Sequence, residues 1–99
     1  MSYVQPVIDA FWRGGTKTIK NTRTDNNCLF LFGNRIAWMD LNGDVWIDTC
    51  GWKSVTTRDR LQLLYPEFIL KVRKGEWQLS KDNLTWTIWD GGPINISKI

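Results

Sequence analysis

The sequence predicts an α+β fold: a mainly antiparallel sheet of about five or six strands with one short helix at about residues 56–65. Three observations lead there. Short stretches of alternating apolar and polar residues are separated by turn signals, of which Asn42-Gly43 is the strongest. Nine threonines stand against two alanines and two glutamates, a balance that favours strands over long helices. Only the segment ending at Pro66 combines a capping residue with apolar residues at helical spacing.

The first 24 residues place Arg13, Lys17, Lys20 and Arg23 among threonines and asparagines, with too few apolar residues for a core strand. An exposed edge strand or a mobile arm is expected. Cys28 to Phe32 is apolar on both faces and suits a central strand, followed by a turn at Gly33-Asn34 and a strand from Arg35 to Leu41. Asn42-Gly43, read as a type I′ turn, leads into Asp44 to Cys50 and completes a three-stranded meander. In that meander Cys28 and Cys50 lie two strand spacings apart, beyond disulfide reach, and free thiols are expected. Thr56 or Thr57 can cap the helix, Asp59 follows Thr56 as a weak capping box, and Leu61, Leu64 and Tyr65 face inward. Beyond Pro66, a second meander runs through Leu70 and Val72, then Trp77 and Leu79, then Trp86 and Ile88. The expected core is Leu29, Leu31, Ile36, Val45, Ile47, Leu61, Leu64, Leu70, Val72, Trp77, Leu79, Trp86 and Ile88.

Ninety-nine residues suit one domain, residues 1–99, with one core. No apolar run approaches the roughly 18 residues of a membrane span, so no membrane association is expected. The N-terminal residues carry no basic stretch followed by an apolar one, and the expected compartment is a cytoplasm. Histidine is absent, which removes serine-type triads and histidine-containing metal sites, and the two cysteines are not at metal-binding spacing. Asp40, Asn42 and Asp44 imitate the start of a calcium loop, but Gly43 comes too early and the twelfth position is Gly51. No metal, cofactor or catalytic residue is called for, and a non-enzymatic protein is expected. The net charge of +3 is uneven: +3 over residues 1–24, −3 over 25–50, +4 over 51–81 and −1 over 82–99.

Gly33-Asn34-Arg35-Ile36-Ala37, Asp44-Val45-Trp46-Ile47 and the run from Gly51-Trp52-Lys53-Ser54 through Thr56-Thr57-Arg58-Asp59-Arg60-Leu61 resemble segments of a family of small tailed-bacteriophage proteins. That family carries a Gly-Asn-x-Ile-Ala strand and a Gly-Trp-x-Thr-x-Thr-Thr-basic-x-Arg-Leu segment. Ser54 stands where the family often has threonine, and Gln62 where it often has asparagine. Glu76-Trp77-Gln78-Leu79 is similar to its Trp-x-Leu strand. The resemblance implies a phage origin and a role in the host cytoplasm, and it brings no activity with it.

Three sets of residues are candidates for binding. Thr56, Thr57, Arg58 and Arg60 at the helix start could hold a phosphate, or could be a cap with two surface arginines; the two arginines lie about 200° apart on a helix and cannot share one site. Alternation puts Trp46 and Trp89 on the polar sides of their strands as exposed rings, whereas Trp38 and Trp52 are left undecided. Arg13, Lys17, Lys20, Arg23, Lys53, Lys71, Arg73 and Lys74 supply the positive charge. Two partner classes follow: nucleic acid, with cations on phosphates and tryptophans on bases, or a host protein engaged through a tryptophan-rich surface. A homodimer is also expected, because one short helix cannot cover both faces of a sheet whose central strands are apolar on both sides.

Overall fold

The computed structural model describes residues 3–99. Two helices and nine strands follow one another as α1 (Gln5–Arg13), β1 (Lys17–Ile19), β2 (Thr22–Asp25), β3 (Cys28–Leu31), β4 (Asn34–Met39), β5 (Val45–Ile47), α2 (Val55–Leu64), β6 (Ile69–Arg73), β7 (Glu76–Ser80), β8 (Thr87–Trp89) and β9 (Ile94–Asn95), with a closing 3₁₀ turn at Ile96–Lys98. The α+β class and the antiparallel pairing hold throughout. The strands divide into a six-stranded sheet, in the order β1-β2-β3-β4-β5-β9, and a three-stranded sheet, β6-β7-β8.

Helix α1 corrects the expectation of an edge strand or arm for the N-terminal segment. Pro6 sits in its first turn, where a missing N–H costs nothing, and Val7, Ile8, Ala10 and Phe11 form one buried stripe. Gly14, left-handed at φ 73°, closes it by donating to the Ala10 and Phe11 carbonyls. The basic residues Lys17, Lys20 and Arg23 then lie on a hairpin at the edge of the large sheet, as an edge strand should.

The chain reaches β5 as expected, through different turns. Phe32 and Gly33, both at positive φ, make the β3–β4 turn, one residue earlier than read. At Asn42-Gly43 only Gly43 has positive φ, so the loop is not type I′. Asp40 explains this: its carbonyl accepts from Gly43, and its carboxylate accepts from the Asn42 and Asp44 amides at 2.9 and 3.0 Å. A longer loop with one left-handed glycine results.

The two meanders, α1 and α2 share one core that includes Phe11, Leu29, Ile47, Leu61, Phe68, Trp77 and Ile96. Ten of the thirteen expected core residues are buried. Val72 and Trp86 are half-buried, and Ile88 is 68% exposed. The cause is the turn after β7, where Asp82 accepts from the amides of Leu84 and Thr85 and holds residues 81–85 out of the strand. Strand β8 then pairs Trp77 with Trp89 and Gln78 with Ile88, which reverses the expected inward set. Both cysteines are free. Gly91 joins the sheets, its carbonyl accepting from the Thr49 amide and hydroxyl at 2.9 and 2.7 Å; a Cβ there would come within 2.6 Å of Lys53 Cε.

Candidate functional site

The large sheet has unlike faces. One buries Thr22, Thr24, Leu29, Leu31, Ile36, Val45 and Ile47, and both helices pack on it. The other face carries two rows of side chains in register. The first row is Thr18, Arg23, Phe30 and Arg35 across β1 to β4; the second is Cys28, Trp38, Trp46 and Asn95 across β3 to β9. All of them stay exposed or half-buried.

A bulge puts Arg35 and Trp38 on the same face. Simple alternation would separate residues three apart, but the β3–β4 register shifts between Leu29 and Phe30, so that Leu29 faces Ala37 and Phe30 faces Arg35. Ile36 and Ala37 both turn inward and are buried, and Trp38 returns to the outer face. Arg35, outward by alternation from Ile36, was missed, and the bulge is what returns Trp38 to its face. Phe30 was also missed, since a strand apolar on both sides gives no sign of which face will be open.

Guanidinium groups and rings alternate across these rows. Arg23 lies 4.1 Å from the centroid of Phe30 and Arg35 4.2 Å from that of Trp38. Trp38 and Trp46 stack at 6.1 Å with an interplanar angle of 6°. Trp46 is fixed from below by its indole N–H, which donates to Asp40 at 2.9 Å. That bond, with the amides of Asp44 and Asn42, holds the Asp40 carboxyl below its ordinary pKa. The acidic residues of this segment are largely engaged: Asp25 with Arg23 at 3.9 Å, and Asp44 with Lys98 at 3.7 Å and the Asn95 amide at 3.1 Å.

The residues singled out from sequence do not form one site. Trp46 belongs to the outer face, whereas Trp89 is only 3% exposed, packed edge-on against Trp77 with its N–H on the Gly92 carbonyl. Arg23 lies in the first row, Lys20 at the adjacent turn with its ammonium over the Tyr3 ring, and Arg13 and Lys17 are exposed nearby in the chain. Lys71, Arg73 and Lys74 belong to the other sheet, with Lys71 over Trp86, and Lys53 lies beside Gly91.

At the start of α2 the cap is Ser54, not Thr56 or Thr57. Its hydroxyl accepts from the Thr57 amide at 3.2 Å and shares a hydrogen bond with the buried Thr57 hydroxyl. Arg58 pairs with its neighbour Asp59 at 3.8 Å. Arg60, expected on the surface, is 8% exposed: its Nε donates to Thr22 Oγ1 at 3.0 Å and its Nη2 to the Tyr3 hydroxyl at 2.9 Å. These contacts tie α2 to β2 and leave Arg60 turned inward. Among the described residues, no cluster of three metal-ligating side chains occurs, and no helix is long and apolar enough to cross a membrane.

The family model described as Kyanoviridae Gp96 protein matches residues 7–95, from α1 to β9. The chain belongs to this phage protein family. The match takes in both rows of the outer face and the whole stretch that resembles tailed-phage proteins. No curated protein and no solved structure matches the chain.

Proposed function

We propose that this Kyanoviridae Gp96 family protein is a non-enzymatic accessory protein that binds single-stranded nucleic acid across the outer face of its six-stranded sheet, in the cytoplasm of the infected cell. The observation that carries the reading is the alternation of guanidinium groups with half-buried aromatic rings: Arg23 on Phe30, Arg35 on Trp38, and Trp38 stacked on Trp46. Phosphates run along the first row, where Arg23 and Arg35 stand. Bases stack on the rings, each contact worth about 1–3 kcal/mol and tolerant of sequence. A duplex would hide those base faces, so single strands are preferred.

The test is fluorescence anisotropy of a labelled mixed-sequence oligonucleotide between about 50 and 200 mM salt. Affinity is expected to fall steeply with salt. Arg35→Ala should weaken binding and reduce the salt slope by about one, whereas Trp38→Ala should weaken it with the slope nearly unchanged. Binding that neither variant alters would overturn the reading. Failure of the oligonucleotide to bind, with a salt-insensitive host protein retained by wild type and lost by Trp38→Ala, would assign the face to a protein partner instead.

A further inference from the structure

A cleft of about 460 Å³ lies beside the β3–β4 turn, lined by residues that include Leu31, Phe32, Asn34, Ile36, Trp52 and Thr56. The volume falls in the range of small-molecule pockets, and the lining is mostly apolar with a few polar groups. None of its lining side chains is charged.

Two features separate this cleft from an ordinary surface dent. Its walls include two large rings left open to solvent, Phe32 at 70% and Trp52 at 65% exposure. Phe32 also occupies a left-handed backbone position, φ 51°, in a two-residue turn where asparagine or glycine is the unstrained choice. A bulky ring that is strained and unburied contributes little to folding, and that pattern points to a contact outside the chain. Beside the rings, the Asn34 side-chain amide, the Thr56 hydroxyl and the Trp52 indole N–H make no hydrogen bond among the described residues.

We infer that this cleft takes one uncharged planar heterocycle, a nucleobase, which rests against Phe32 and Trp52 and presents its polar edge to Asn34 and Thr56. The absence of charge in the lining suits a base and disfavours a phosphate. An amide that both donates and accepts matches the adjacent donors and acceptors of a base edge, whereas a Tyr or Trp ring offers a single polar atom and Phe none, which is why a base is favoured over such a side chain of a partner protein. Arg35, which follows Asn34 on β4, stands in the first row of the outer face, whereas Leu31 and Ile36 place the cleft on the other side of the sheet, so a strand on that row reaches the cleft by turning around the β3–β4 end. The inference rests on the proposed function for the source of the base, and the cleft itself is testable without it.

The probes are free nucleosides, which carry no phosphate, and the oligonucleotide used above. Millimolar adenosine and cytidine should shift the Trp52 indole N–H and the Asn34 amide signals in a proton–nitrogen spectrum. Trp52→Ala and Phe32→Asn should weaken nucleoside binding by about tenfold, the loss of one base stack. Phe32→Asn should at the same time raise the thermal midpoint, since asparagine relieves the turn; that separates a binding role from a structural one. Nucleosides that shift nothing at the cleft, with Trp52→Ala binding the oligonucleotide as wild type does, would overturn the inference and leave the sheet-face reading standing. Cleft shifts with nucleosides, together with oligonucleotide binding indifferent to Arg35→Ala and Trp38→Ala, would keep the cleft as a free-nucleoside site and remove the sheet-face reading. A partner protein that protects Trp52 where nucleosides do not would also overturn the inference.

Discussion

Arg60 shows how far a single side chain's surroundings can depart from its residue type. Its guanidinium is buried with two hydroxyls and the Tyr3 ring, 5.3 Å from the guanidinium carbon, and no carboxylate pairs with it among the described residues. Arg60→Ala is expected to destabilise the fold by about 2 kcal/mol, the scale of hydrogen bonds made by a charged donor, as read by urea denaturation. Arg58→Ala, losing only a half-exposed pair with Asp59, should stay within about 0.5 kcal/mol. Asp40 makes a prediction in pH. The bond from Trp46 and those from two loop amides depress its folded pKa below the ordinary 3.8, so the stability it lends is present above that value. That stability is lost as pH falls through the depressed value. The Trp46 indole resonance should therefore move in an acid titration at a pH below 3.8, and Asp40→Asn should remove that step.

At the scale of elements, legibility followed periodicity and failed where a local interaction overrode it. The β3–β5 meander and α2 could be read because their apolar residues recur at the periods of strand and helix, and Leu29, Leu31, Val45, Ile47, Leu61 and Leu64 are all buried. Helix α1 was obscured by the charge beyond it: Val7, Ile8 and Phe11 at helical spacing, with Pro6 before and Gly14 after, were sufficient signals that the cations of residues 13–23 outweighed. The outer face was legible only in Trp46 and Arg23. Phe30 lies on a strand apolar on both sides, Trp38 joins Arg35 on that face only through a bulge, and a bulge leaves no mark in composition. The same limit applies to the α2 cap, since three hydroxyl residues, Ser54, Thr56 and Thr57, compete within four positions and only geometry chooses. Ser54→Ala is expected to cost about 1 kcal/mol, and Thr56→Ala, half-buried and not capping, less than half of that, by thermal denaturation.

For the whole molecule, the oligomeric state turns on what covers the second face of the large sheet. The expectation of a homodimer assumed a single helix, too small to cover the apolar residues of the central strands. Two helices are present among the described residues, and the core they close contains most of those apolar residues. On the outer face the rings are partly covered from within the chain, by Arg23 over Phe30 and Arg35 over Trp38. Stacked guanidinium groups tolerate water, so this face needs no second copy to remain soluble. The sheet edge at β1 carries the exposed cation Lys17, which discourages strand addition there. Light scattering over a wide concentration range is therefore expected to give the monomer mass of 11.6 kDa in the absence of nucleic acid. A stable dimer that Trp38→Glu separates would place a second copy on the outer face. The nucleic-acid reading would then require that added oligonucleotide dissociate the dimer, because strand and second copy would compete for Phe30, Trp38 and Trp46.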